Sequence, residues 1–126
     1  MKPRRKTPEQ NFQCQVKTYL DLALPRPDAW FTAIPTTGSS KTVGGILKGM
    51  GYTPGTPDMV VVYLGLPIWL ELKVEGREPS DNQEQCRDDL IAAGCKWALV
   101  RTLADVEQAL KRFGVPLRAS VGVGEA

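Results

Sequence analysis

The residues of this chain best equipped for chemistry are Asp58 and the triplet Glu71-Leu72-Lys73. The chain contains no histidine. That absence excludes Ser-His-Asp and Cys-His catalysis, histidine-bound zinc, and any hydrolytic site whose general base is an imidazole. Hydrolytic chemistry here must run on carboxylates, lysine and bound hard cations. Mg²⁺ favours carboxylate oxygens and water in near-octahedral geometry, and usually takes only one or two protein carboxylates. Asp58 and Glu71 are two such groups, and the Leu72 backbone carbonyl is a third candidate ligand. A cation held there would acidify a water and stabilise charge building on a phosphoryl oxygen. Lys73 would orient that water or stabilise the developing charge.

For this to work the side chains must share a face. The stretch Ile68 to Val74 alternates as a strand, with Ile68, Leu70, Leu72 and Val74 on one side and Trp69, Glu71 and Lys73 on the other. A second strand, Met59 to Leu64, precedes it, and Gly65-Leu66 suits a two-residue hairpin turn with glycine first. In that register Leu64 pairs with Pro67 and Asp58 falls opposite Lys73. Asp58 is then diagonal to Glu71, with Cβ atoms on the order of 7–8 Å apart. A slip of one residue carries Asp58 to the opposite face. On the hairpin alone two readings stand: a metal site, or a cross-strand salt bridge on a polar face.

The other elements follow from periodicity and punctuation. Thr7-Pro8-Glu9-Gln10 is a capping-box start, and the spacing of Phe12, Val16, Tyr19, Leu20 and Ala23 predicts a helix from about Pro8 to Leu24, ended by Pro25 and Pro27. Trp30 to Ile34 reads as a short strand. The segment from Pro35 to Pro57 is rich in Gly, Ser and Thr, with a short helix near Val43 to Met50. Ser80 to Ala93 is a helix stopped by Gly94, Lys96 to Arg101 a strand, and Leu103 to Phe113 a last helix. This order predicts an α/β sandwich, a central mixed β-sheet flanked by helices.

At 126 residues the chain fits a single domain, with a core over about residues 8–113. Lys2, Arg4, Arg5 and Lys6 make a flexible basic N-terminus, and the tail after Leu117 is Gly-rich and expected to be mobile. The net charge of +2 is too small to imply a nucleic-acid partner by itself. The longest apolar run, Met59 to Leu70, is broken by Gly65 and Pro67 and is shorter than the ~20 residues that span a bilayer. No signal-peptide pattern follows the first residues, so a cytoplasmic protein without a membrane partner is expected. Cys14, Cys86 and Cys95 form no Cys-x-x-Cys pair and read as small hydrophobic residues.

Gly55-Thr56-Pro57-Asp58, Glu71-Leu72-Lys73 and Ser80-Asp81-Asn82-Gln83 together spell Gly-x-Pro-Asp…Glu-x-Lys…Ser-x-x-Gln. This ordered set resembles the VRR-NUC (virus-type replication-repair nuclease) family of the PD-(D/E)XK superfamily. The resemblance runs from Glu9 to about Leu110 and takes in Gly38, Leu47-Lys48-Gly49-Met50-Gly51 and Ala98-Leu99-Val100-Arg101. It implies a restriction-endonuclease-like fold and a metal-dependent nuclease hydrolysing DNA. Asp58 and Glu71 would bind Mg²⁺ or Mn²⁺, Lys73 would be the catalytic lysine, and Gln83 would support the metal or the scissile phosphate. Glu9 stands where the superfamily often places a helical glutamate near the metal. Ser80 and Gln83 are also a capping box, and Glu9 is also a favourable charge in a first helical turn.

The resemblance further implies structured DNA as substrate, a Holliday junction or other branch, cut by a homodimer. It also suits a viral or phage origin, hence a host cytoplasm, and a role in DNA repair. A flap or non-specific nuclease is the nearest alternative, and a non-catalytic nucleic-acid-binding domain the alternative from another class. Gly38-Ser39-Ser40-Lys41-Thr42 lacks the glycine spacing of a phosphate-binding loop, so no nucleotide cofactor is expected. Lys41, Lys48, Ser39 and Ser40 remain candidates for DNA phosphate contacts, with Arg77 and Arg101 weaker ones. Trp30, Trp69 and Trp97 read as core, with Trp69 the best placed of them to stack on a base.

Overall fold

The structure, a computed structural model, describes residues 5–35 and 41–122. Helix α1 (Pro8–Ala23) begins at a capping box in which the Thr7 hydroxyl accepts from the Gln10 N–H and the Gln10 side chain accepts from the Thr7 N–H. Two otherwise unsatisfied donors of the helix start are met in this way. Its buried stripe is Phe12, Val16, Tyr19, Leu20 and Ala23, as the spacing predicts.

Strand β1 (Ala29–Ala33) and helix α2 (Lys41–Gly49) follow, then β2 (Met59–Tyr63), β3 (Leu66–Leu72), α3 (Asp81–Ala92), β4 (Lys96–Val100) and α4 (Leu103–Arg112). The strands form a four-stranded sheet in the order β1-β2-β3-β4. The first two pairings are antiparallel and β3 runs parallel to β4 across α3, so the sheet is mixed.

One face of the sheet carries Met59, Val61, Ile68, Leu70, Leu72, Ala98 and Val100, which bury with α1 and with Val106, Ala109 and Leu110 of α4. That is the hydrophobic core. Helix α3 lies over the other face, where it buries fully only Cys86. Among the described residues no helix is long and apolar enough to cross a membrane.

The hairpin register needs a correction. Tyr63 pairs with Leu66, Val62 with Pro67 and Met59 with Leu70. The turn is therefore Leu64-Gly65, with both residues at positive φ (46° and 84°), the type I′ arrangement. The physical reason lies in Pro67. The residue after a two-residue turn must donate its N–H to close the hairpin, and proline has none. The pairing of Leu64 with Pro67 would leave that bond unmade. The observed turn gives the closing position to Leu66 and leaves Pro67 in the next pair along. Leu64 bears a left-handed conformation that costs a branched residue ~1–2 kcal/mol.

Moving a two-residue turn by one position shifts the pairing by two residues. Side-chain parity survives, so the faces are those that the alternation predicts. The partner of Asp58 changes.

A second correction concerns the chain after Leu117, which does not run loose as far as Val121. Arg118 N–H donates to the Ala23 carbonyl at 2.7 Å, and the Tyr19 hydroxyl donates to the Ala119 carbonyl at 2.9 Å. Val121 N–H reaches a Glu107 carboxylate oxygen at 2.9 Å, and Leu117, Ala119 and Val121 pack against the core. Glycine content signals a loose chain, but these contacts strap it across α1 and α4.

Candidate active site

Continuing the observed register by one pair sets Asp58 directly opposite Glu71 rather than Lys73. Asp58 is held from two sides. Its carbonyl accepts from Ile34 N–H at 2.8 Å, beyond the end of β1, and its Oδ2 accepts from Leu72 N–H at 2.8 Å. The loop before it is shaped by Gly55 and the fully buried Pro57. Gly55 has φ +87°, and a Cβ there would collide with the Asn82 carbonyl and the Gln83 nitrogen in the first turn of α3. Glycine is thus required for the loop carrying Asp58 to dock on the helix carrying Gln83.

Glu71 is 1% exposed and is the buried charged residue among the described residues. Burial in the sheet, the facing Asp58 charge and a hydrogen bond shared with Asp58 push its carboxyl from the ordinary 4.5 to about 8, against the smaller opposing pull of Lys73. Its Oε2 accepts from Gln83 Nε2 at 3.0 Å, whereas Oε1 is buried with no donor. Between two ionised carboxylates no hydrogen bond exists; the bond with Asp58 forms when Glu71 carries a proton. A buried carboxylate oxygen with no donor, facing a second carboxylate, suits a proton or a cation placed between the two.

Gln83 both caps α3 and contacts Glu71. Its Oε1 accepts from Ser80 N–H at 2.8 Å and its N–H donates to Ser80 Oγ at 3.2 Å, which caps α3. The same side chain turns its amide NH₂ to Glu71. The cap fixes the rotamer, and the fixed rotamer aims the donor.

Lys73 follows on the Glu71 side of the strand, its N–H bonded to the Val100 carbonyl at 3.1 Å. Among the described residues Lys73 forms no salt bridge with either carboxylate. The cross-strand salt bridge is therefore not what the hairpin builds.

Other candidates are not gathered into this cluster. Glu9 is exposed in the first turn of α1, and among the described residues no group of three His, Cys, Asp or Glu side chains converges as a metal-holding set. Lys48 is exposed in the last turn of α2. Ser39, Ser40 and the Lys41 side chain lie outside the described residues.

Arg101 is not a free surface cation: its guanidinium bonds the Val74 and Arg77 carbonyls and Glu78. Trp69 and Trp97 bury their indole nitrogens without a partner, while Trp30 is 55% exposed, so the tryptophan open to solvent is not the one expected. A cavity of 490 Å³ opens between α1 and the C-terminal strap, lined by Cys14, Thr18, Tyr19, Leu22, Leu103 and Val121 among others. It holds no pair of acids and lies in the α1 layer, away from Glu71.

Sequence reasoning names Gly55 and Arg101 but not their structural parts, the close approach of Gly55 to α3 and the bonds of Arg101 to the loop after β3. The Gly-x-Pro-Asp pattern already signals the first. Nothing local signals the second.

No family model and no curated protein matches this chain. Among solved structures, one described as a VRR_NUC domain protein matches with a TM-score of 0.69, covering 88% of this chain and 91% of its own, at 15% identity. The expected α/β fold, a mixed sheet flanked by helices, is the fold of that neighbour.

Proposed function

We propose that this chain is a metal-dependent nuclease that hydrolyses DNA phosphodiester bonds, with branched or otherwise structured DNA as substrate. The observation that carries this reading is the donor-less Oε1 of buried Glu71 facing Asp58, with Gln83 and Lys73 alongside. The shared fold with a VRR_NUC domain protein supports it. The residues fit a hard cation: setting half-buried Asp58 against buried Glu71 is costly unless a positive charge lies between them.

Asp58, Glu71 and the Leu72 carbonyl would hold Mg²⁺ or Mn²⁺. Such an ion, when bound, acidifies water and neutralises charge building on a phosphoryl oxygen. The chain's own residues do the rest. Leu72 N–H fixes one Asp58 oxygen so that the other is free to bind. Gln83 holds Glu71 in one rotamer, which removes a reorganisation step. Lys73 orients the attacking water or stabilises the charge that develops on the phosphate. Water is the nucleophile, and no covalent intermediate forms. Lys48, with Lys41, Ser39 and Ser40, would grip backbone phosphates. A homodimer would let one compact site per protomer cut two strands symmetrically.

The test uses labelled junction, flap and linear DNA with Mg²⁺, Mn²⁺ or chelator. Metal-dependent cleavage that favours the junction is expected. A preference for flaps, or for none of the three, would narrow the reading to a flap or non-specific nuclease. Binding without cleavage under any metal overturns it in favour of a non-catalytic DNA-binding domain.

A further inference from the structure

Lys73 directly follows β3 and Gln83 lies in the first turn of α3, and residues 73–80 belong to no helix or strand. Residues 75–78 are exposed, and Gly76 turns the chain with φ +86°. Such a loop would leave both side chains free to drift, because a solvated backbone gains little from any one position. Its one bond among its own backbone groups is Arg77 N–H to the Val74 carbonyl at 3.1 Å. What anchors it comes from outside.

Arg101, just past β4, puts Nη1 within 3.0 Å of the Val74 carbonyl and 2.6 Å of the Arg77 carbonyl, and Nη2 within 2.9 Å of a Glu78 oxygen. Its side chain is 22% exposed, against 78% for Glu78. The ion pair is therefore weak, and the two carbonyl bonds matter most. Arg101 is itself fixed: its N–H donates to Asp105 Oδ2 at 2.9 Å, and Asp105 N–H bonds the Thr102 cap of α4 at 3.1 Å. The guanidinium fork can meet two carbonyls and a carboxylate at once, which an ammonium cannot match.

Resting on the nuclease reading above, we infer that Arg101 is a positioning residue that staples the loop between Lys73 and Gln83 and so sets both against Glu71. It touches neither substrate nor metal. Three of its five N–H donors are already used on the protein.

The experiment compares Arg101→Ala, Arg101→Lys and Glu78→Gln in the full chain. Amide hydrogen exchange without metal or DNA is read first. Arg101→Ala should speed exchange across residues 72–83 while Val16 and Leu20 in α1 keep wild-type protection. Arg101→Lys should fall between, and Glu78→Gln should match wild type. Should Arg101→Ala exchange quickly everywhere, Arg101→Lys carries the same comparison of local against global protection.

Cleavage is read second. Misplacement on the scale of an ångström costs roughly 10²-fold, so kcat should fall by about tenfold to a hundredfold in Arg101→Ala. KM and the Kd for uncut DNA in chelator should stay unchanged, with partial recovery in Arg101→Lys. Unchanged exchange at 72–83, or a weakened Kd with kcat intact, overturns the staple. A wild type that cuts no DNA overturns the nuclease reading instead, and the exchange result still decides whether Arg101 holds the loop.

Discussion

The two faces of β3 each bury a residue almost completely and do opposite things. Ile68 and Leu70 are 0% exposed on one face, and Glu71 is 1% exposed on the other. On the first face every neighbour is apolar, and a fully buried leucine or isoleucine stabilises the fold by about 1.5–3 kcal/mol. On the second, a carboxyl sits opposite another carboxyl with one oxygen lacking a donor, so burial costs stability. Burial by itself therefore does not tell what a residue contributes. The chemistry of the neighbours does, and a costly buried group held in place by Gln83 is what a functional site looks like.

That contrast can be broken from either side. The largest effect is expected from Glu71→Gln, which should lower cleavage by at least about 10²–10³-fold, the scale for a group acting directly on the reacting charge. Thermal melts of the same variant should show a fold no less stable at pH 7. Leu70→Ala should show the reverse signature. Denaturant titration should read a loss of about 2–5 kcal/mol, while kcat of the folded fraction stays at the wild-type value.

Next in size is a pH effect on the native protein without metal. Glu71 binds its proton more tightly folded, at about 8, than at its ordinary 4.5. The unfolded chain therefore binds fewer protons than the native one between these values. Stability should be independent of this group below pH 4.5, fall as pH rises toward 8 and level off above, by a few kcal/mol at most. Glu71→Gln should abolish the slope, and a slope that persists in it would assign the effect to another group.

The smallest expected effect is that of Gln83→Ala. It leaves the Ser80 N–H and Glu71 Oε2 each short of a partner, which should cost about 0.5–2 kcal/mol in a thermal melt. Cleavage should drop by roughly tenfold from a loosened Glu71. If stability falls while cleavage does not, Gln83 is a cap alone.

Much of this architecture is legible in local residue patterns. The alternation of Ile68 to Val74 assigns the two faces, because side-chain period in a strand is a property of the backbone itself. Thr7-x-x-Gln10 and Ser80-x-x-Gln83 mark both helix starts, since a cap is satisfied within four residues. The turn is legible too, because the missing N–H of Pro67 outweighs the placing of glycine. The C-terminal strap is not, because Arg118, Ala119 and Val121 are tied by partners distant in sequence, at Ala23, Tyr19 and Glu107.

Residue type, parity, the absence of histidine and the ordered set Gly-x-Pro-Asp…Glu-x-Lys…Ser-x-x-Gln, all properties of the sequence alone, single out Asp58, Glu71 and Lys73. Only the tertiary structure decided that Asp58 faces Glu71 rather than Lys73, and that Gln83 closes onto Glu71 while Glu9 remains outside. It alone ties Arg101 to the loop between them. The physical reason is range. Backbone periodicity, capping and turn chemistry act within a few residues, whereas desolvation and charge depend on which groups the folded chain brings within a few ångströms.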